Sequence, residues 1–303
     1  MGLKIYVDGK FVPEEDAKVS VFDHGFLYGD GVFEGIRAYH NSVFKLNEHI
    51  DRLYDSAHAI NMQIPLTKAE MTEVVLETCR QNDLQDCYIR AVVSRGKGDL
   101  GMDPRKCPVP TVVCIASSIS LYPDEMYETG LEVITVPTRR NGPEGVNPRI
   151  KSLNYLNNIM AKIEANIAGV SEAILLNQEG YVAECTGDNI FMVKNGILKT
   201  PAVHNGLLEG VTRNEVIKLA KQMGIEVQET TFTRFDLFIA DEVFLTGTAA
   251  ELIPVTSIDA RVIADGKPGP IFGKLATGFR EVVKQPGSVI FKKKPKTSKK
   301  SKK

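Results

Sequence analysis

The chain has 303 residues, 43% hydrophobic and 25% charged, which is the composition of a globular protein and excludes a disordered or collagen-like one. No apolar run approaches the ~18–20 residues of a membrane span, and the opening MGLKIYVDGKFV has neither the apolar core of a secretory signal nor the Ser or Thr at position 6 that myristoylation wants. The net charge of −1 hides an asymmetry: residues 291–303, FKKKPKTSKKSKK, hold eight of the 37 basic residues, leaving 29 against 38 acidic ones in an acidic body with no reason to seek nucleic acid.

KIYV and KFV flank Asp8-Gly9, which predicts a hairpin. Residues 32–46 read as two strands around His40-Asn41. Asn47 then precedes a helical stripe of Ile50, Leu53, Ala57 and Ile60. Thr67 and Glu70 form a capping box that opens a second helix reaching about Asn82. CYIRAVVSR at 87–95 and residues 110–117 read as buried strands. These elements form an α/β domain over 1–118, and the weakly patterned 119–130 reads as a linker.

A second domain is expected over 131–290. It opens with strand LEVITV at 131–136 and a loop rich in Gly, Pro and Asn up to Pro148. A long helix follows, with Leu153, Leu156, Met160, Ile163 and Ile167 on one face, closed by Gly169. Strands follow at 171–176 and 180–184, then a hairpin at 189–200 turned at Asn195-Gly196. Thr212 and Glu215 read as another capping box, on a helix ending at Gly224. Strands near 226–233 and 242–246 and a helix near 272–284 complete the body. Residues 291–303 read as a disordered, solubilising tail. Cys79, Cys87, Cys107, Cys114 and Cys185 show no disulfide spacing and fit a reducing cytoplasm. The five histidines form no metal-binding cluster, so no metal site is expected.

GKGDLG at 96–101 matches the dinucleotide glycine pattern by letters. MDPRKCPVP follows, and its three prolines prevent the helix that such a site requires. The chemistry lies elsewhere. Lys151 stands where the long helix is expected to begin, near Arg149, so the helix dipole disfavours its ammonium form and exposes an amine able to attack an aldehyde. Glu184 ends strand YVAE and can hold a protonated ring nitrogen. Gly210-Val211-Thr212 offers backbone N–H groups at a helix start, an anion site. The small-residue turn Thr246-Gly247-Thr248-Ala249-Ala250 offers a second one. An amine, an acid and two anion nests together describe pyridoxal 5'-phosphate.

The chain resembles the class IV, fold type IV pyridoxal-phosphate aminotransferases, and among them the branched-chain amino acid aminotransferases. The resemblance covers about residues 3–284. It rests on YGDGVFEGIRAY (28–39), HIDRLYDSA (49–57), CYIRAVVSRG (87–96), RIKSLNYLNN (149–158), YVAECTGDNIFMV (181–193), GLLEGVTR (206–213) and EVFLTGTAAEL (242–252). It implies an α/β (α+β) fold with a smaller N-terminal domain, a larger pseudo-barrel C-terminal domain and the active site between them. Lys151 would form the Schiff base and shuttle the proton, and Glu184 would pair with the pyridinium nitrogen. Arg52, Val211, Thr212 and Thr248 would bind the phosphate, with Tyr155 near the 3-hydroxyl and Asn189 beside the ring. Tyr88, Arg90, Thr248 and Ala249 match residues around the substrate carboxylates, and Phe33, Gly35 and Arg37 line the substrate pocket. Tyr28 and part of the 96–108 loop would be lent by a second subunit of a cytoplasmic homodimer.

The implied reaction is transamination of leucine, isoleucine or valine with 2-oxoglutarate. Two rivals share the lysine and the glutamate: a D-amino-acid aminotransferase and an aminodeoxychorismate lyase. The first carries an Arg-x-His trap where this chain reads Lys-Gly-Asp-Leu-Gly after Arg95-Gly96. A lyase would release pyruvate without an amino acceptor. A non-catalytic module would have no use for Lys151 and Glu184.

Overall fold

Asp8 and Gly9 both adopt positive φ, 44° and 89°, and turn strand Lys4–Val7 into Lys10–Pro13 as the sequence predicts. The computed structural model describes residues 2–119 and 121–292, so residues 293–303 of the lysine-rich stretch lie outside the described residues. The hairpin forms one edge of an antiparallel sheet. Across it the strand order is Ser288–Val289, Ser42–Val43, Gly31–Tyr39, Cys87–Ser94, Thr111–Ser117, Lys4–Val7 and Lys10–Pro13.

Helices Leu46–Ala59 and Lys68–Gln81 cover one face of this sheet. The second opens on the predicted capping box, with the Thr67 and Glu70 side chains each taking the other's backbone N–H. Strand alternation then divides the residues. Ile89, Ala91 and Val93 enter the helix-covered core, while Tyr88, Arg90 and Val92 face the opposite side. On strand Gly31–Tyr39, Val32 and Ile36 face the core and Phe33 and Gly35 face away.

The second sheet is mixed and has nine strands, forming a half-barrel. Its order is Val227–Thr230, Ile197–Pro201, Asn189–Lys194, Glu242–Gly247, Glu251–Ile258, Leu131–Thr135, Glu172–Leu176 and Val182–Cys185, with Arg261–Val262 beside Glu251–Ile258. Helices Val211–Gln222 and Pro270–Val282 bury Val216, Leu219, Phe272 and Phe279 with Phe191 and Phe244 of this sheet.

Several expectations change in the folded chain. The stretch expected as a linker contains helix Asp124–Thr129, and its Tyr122, Met126 and Tyr127 pack into the core of the second sheet. Ser288–Val289, expected in the second domain, pairs with Ser42–Val43 of the first sheet, and Ile290 joins the first core. Phe291, expected in a disordered tail, packs on that core and donates its N–H to Asn41 Oδ1 at 2.8 Å. The Thr212–Glu215 capping box does not form. Gly210 is the N-cap, and Glu215 is instead captured by Lys45 at 2.8 Å. The long helix runs only over Leu156–Ile167; it buries Asn158, Ala161 and Ala165 and turns its larger apolar residues outward.

A charged cluster lies between strand Gly31–Tyr39 and helix Leu46–Ala59. Glu34, on the core side of its strand, is fully buried. Its Oε1 accepts from Arg52 Nε at 2.6 Å, and its Oε2 accepts from Arg52 NH2 at 2.9 Å and pairs with His49 Nδ1 at 2.7 Å. Burial pushes the Glu34 carboxyl up, but Arg52 and His49 overcome it and hold it down at about 2, below its ordinary 4.5. Burial also lowers the His49 value. Glu34→Gln strands Arg52 in the interior and should cost about 3–5 kcal/mol, measured by denaturant melts. In the unmodified chain this carboxylate stabilises the fold above its unfolded value. Its contribution should fade as pH falls from about 4.5 toward 2 and be absent from the pH–stability curve of the Glu34→Gln variant.

Candidate active site

A cavity of about 580 Å³ lies between the two sheets. The outward face of the first sheet supplies Phe33, Gly35, Tyr88 and Arg90. The second supplies Asn189, Thr246, Gly247, Thr248 and Ala249, and helix Val211–Gln222 brings its first residues. Lys151 enters from the connecting segment. A larger cleft of about 830 Å³ lies behind Arg52, and the charges around it are largely paired, as in Lys45–Glu215 at 2.8 Å and Arg149–Glu209 at 3.5 Å.

Lys151 does not sit at a helix N-terminus. The helix begins at Leu156, after four residues of extended and bent backbone, so the expected dipole effect has no geometric basis. Residues 151–153 run instead along the free edge of strand Gly31–Tyr39. Phe33 N–H donates to Lys151 O and Leu153 N–H to Gly31 O, both at 2.9 Å, and Lys151 N–H reaches Ser56 Oγ at 3.2 Å. This fixes the backbone and sends Nζ into the cavity, 4.6 Å from the centre of the Phe33 ring. Nζ donates to Tyr155 Oη at 2.9 Å, and the Tyr155 ring packs edge-on against Phe33 at 4.9 Å.

One end of the cavity is built for an anion. Arg52, already held by Glu34, extends NH1 to Glu209 O at 2.8 Å, which sets the guanidinium beside the start of helix Val211–Gln222. Gly210 has no side chain to cap that helix, so its first N–H groups face the cavity end. The position demands glycine: a Cβ on Gly210 would come within 2.1 Å of Asn189 Oδ1, whose amide donates to Leu208 O at 2.8 Å.

The other end carries Arg90 and Tyr88. Their predicted common face is realised, with Arg90 NH2 donating to Tyr88 Oη at 2.9 Å and the guanidinium lying 4.6 Å from the Phe33 ring centre. Gly35 makes room for them, because a Cβ there would lie 2.1 Å from the Tyr88 hydroxyl. Arg90 Nε, Thr246 Oγ1 and Asn158 Oδ1 are buried without a hydrogen-bond partner, and all three residues line this cavity.

Glu184 lies one layer behind the lining. It is buried, its Oε1 accepts from Arg140 Nε at 2.6 Å and its Oε2 from Leu208 N–H at 3.0 Å. Burial raises its carboxyl above the ordinary value, against the pull of Arg140, the Leu208 N–H and Lys151. On the lining itself, burial and neighbouring Glu172 push Asp188 up to about 7.

Arg52, Lys151, Tyr155, Asn189, Val211, Thr212, Thr248, Ala249, Phe33, Gly35, Tyr88 and Arg90 all line this cavity. Arg37 does not. It is turned behind the turn at Thr248, where NH1 donates to Ala249 O at 3.0 Å and meets Glu251 at 3.5 Å, so it supports the lining without joining it. Tyr28 points away from this cavity, with its hydroxyl on Leu100 O at 2.6 Å. The sequence reading missed Ile119, Leu121 and Tyr122, which line the cavity from the supposed linker, and Arg140. An aromatic residue before Pro123 and paired arginines in a polar loop were their only signals.

Comparison with known proteins agrees with this geometry. The family model for amino-transferase class IV matches residues 31–258. A Methanocaldococcus jannaschii protein, provisionally named a branched-chain-amino-acid aminotransferase, is 60% identical over 280 residues, covering 92% of this chain and 96% of its own. The Pseudomonas aeruginosa branched-chain-amino-acid aminotransferase is 39% identical over 284 residues, covering 92% of each. The crystal structure of the T.th. branched-chain amino acid aminotransferase with pyridoxamine 5'-phosphate superposes with a TM-score of 0.90 at 41% identity, covering 93% of this chain and 94% of that one. With about three quarters of its length inside the family model and relatives matched almost end to end, the chain belongs to the class IV aminotransferases of fold type IV, in the branched-chain-amino-acid aminotransferase group.

Proposed function

We propose that this chain transfers the amino group of leucine, isoleucine or valine to 2-oxoglutarate, with pyridoxal 5'-phosphate as its cofactor. One observation carries the reading: Lys151 Nζ sits 2.9 Å from Tyr155 Oη in a cavity whose ends are an anion cradle and an arginine–tyrosine pair. The branched-chain reading is preferred over the D-amino-acid and lyase readings because the relatives compared are branched-chain enzymes.

The residues fit the cofactor. Arg52 with the uncapped N–H groups of Val211 and Thr212 suits a phosphate, and Thr248 lines the same cavity. Asn189 would stand beside the ring, and Glu184, just behind the lining, would pair with its nitrogen. When bound, the cofactor supplies an aldehyde and an electron-accepting ring. Lys151 Nζ would hold the cofactor at its aldehyde and would serve as the base that moves a proton at the substrate Cα. Tyr155 orients Nζ. Phe33 and Gly35 form an apolar wall for a branched side chain. Arg90 and Tyr88 meet a carboxylate, with the unpartnered Arg90 Nε as a further donor.

We infer a homodimer that works in the cytoplasm. Two exposed apolar surfaces support the pairing. Leu156, Ile159, Met160, Ile163 and Ile167 of one helix are 44–82% exposed, as no isolated surface favours. Phe26, Leu100 and Met102 form a second such surface near Tyr28, suited to entering a neighbour's cavity. The five unbridged cysteines support a reducing compartment.

Three measurements test this reading. Borohydride reduction of the protein with pyridoxal phosphate should fix label on Lys151, and Lys151→Ala should abolish transamination while retaining some cofactor binding; label on another lysine would remove Lys151 from its role. Arg90→Leu should raise KM for leucine and 2-oxoglutarate about 10–150-fold without changing the cofactor spectrum, and unchanged KM for both would remove Arg90 from the site. Light scattering should give a dimer mass that falls to a monomer mass in Ile163→Glu/Ile167→Glu; a monomeric parent protein would refute the pairing.

A further inference from the structure

Arg140 lies in the polar loop after strand Leu131–Thr135 and is 5% exposed, the same as Glu184. Glu184 is the one carboxylate it meets among the described residues. Its guanidinium cannot swing freely. The Arg140 backbone N–H is tied to Leu176 O at 2.8 Å, and NH1 donates to Asn157 Oδ1 at 3.1 Å, while Asn157 is anchored by its own amide on Arg139 O at 2.8 Å. Glu184 is thus gripped at both oxygens, by Arg140 Nε on one and by the Leu208 N–H on the other.

We propose that Arg140 is a positioning residue for the reaction: it keeps the buried Glu184 ionised and aimed at the ring nitrogen. The proposal rests on the reading that Glu184 faces that nitrogen. The physical need follows from burial. A carboxyl removed from water holds its proton unless a cation or several donors stabilise the charge. A neutral Glu184 could not serve as counter-ion to a protonated ring, and the ring would accept electrons less well. The groups acting on Glu184 are few. Arg140, the Leu208 N–H and Lys151 favour the carboxylate; burial opposes it, and Asp188 and Cys185 are the neighbours that share its field. Among these, Arg140 supplies the one cation bonded to Glu184. An ion pair that merely supported the fold would stabilise the chain without controlling the protonation of Glu184.

Arg140→Met and Arg140→Lys separate the two roles. The first readout needs no cofactor: infrared spectra of the ligand-free proteins near pH 7. Arg140→Met should show the carbonyl band of a protonated carboxyl that vanishes in Arg140→Met/Glu184→Gln, and neither the parent protein nor Arg140→Lys should show it. The second readout is the pH profile with pyridoxal phosphate and leucine. Arg140→Met should lose on the order of 10²-fold in kcat near neutral pH, with little change in KM. Because the ionised acid is the working form, kcat should recover as pH rises through the new Glu184 value. Arg140→Lys should restore most of the activity. Should Arg140→Met not fold, Arg140→Gln keeps a donor without the charge and answers the same question. A carboxylate that stays ionised in the neutral variants overturns the proposal, as does an Arg140→Lys protein as impaired as Arg140→Met. A protonated Glu184 with unaltered kcat upholds the coupling of the two side chains and overturns the role of Glu184 at the ring.

Discussion

An unpaired strand edge sets the position of the reactive amine. Strand Gly31–Tyr39 pairs with Cys87–Ser94 from Gly31 to Ala38, but on its other side it meets Ser42–Val43 only at Ala38 and Tyr39. The backbone groups of Gly31 and Phe33 would otherwise be buried without partners, which is costly. Residues 151 and 153 satisfy them, and Val32 and Ser152 form an antiparallel bridge. Everything else about the site is measured from that bridge. It places Nζ over Phe33, puts Tyr155 within reach of Nζ, and joins the chain of the second sheet to the edge of the first.

The electrostatic design is layered. Behind the lining, charges are neutralised: Glu34 by Arg52, with His49 hydrogen-bonded beside it, and Glu184 by Arg140. At the lining, polar atoms are left unpaired, at Arg90 Nε, Thr246 Oγ1 and Asn158 Oδ1. The hidden pairs hold the exposed groups in place, so a ligand meets dipoles that need not reorganise. Arg52 shows both sides of the scheme. Its Nε and NH2 are spent on Glu34 and its NH1 on Glu209 O, which fixes the plane of the fork before any anion arrives.

What the sequence discloses is what local chemistry decides. The Asp8-Gly9 turn, the Thr67–Glu70 box and the shared face of Tyr88 and Arg90 all depend on residues within a few positions of each other, and all are legible. Thr212 and Glu215 have the same local pattern as Thr67 and Glu70, yet Lys45, distant in sequence, takes Glu215 away. Strand Glu251–Ile258 goes unrecognised because Pro254 breaks its pattern, although the strand lies inside the sheet. The long helix advertises an apolar face that the single chain leaves in solvent, so periodicity alone misjudges which face is covered. Arg140 and Tyr122 sit in segments with no period at all; only the tertiary fold brings them to Glu184 and to the cavity.

The chain passes from the first sheet to the second between Ser117 and Leu131 and returns between Val282 and Ser288, and the 151–153 bridge fastens the sheets a third time. A body held along one line can swing about it; one held at three separated places cannot. Parting the two sheets along this edge would break the bridge between Val32 and Ser152 and carry Lys151 away from Phe33, so the contact that joins the sheets also keeps the amine in place.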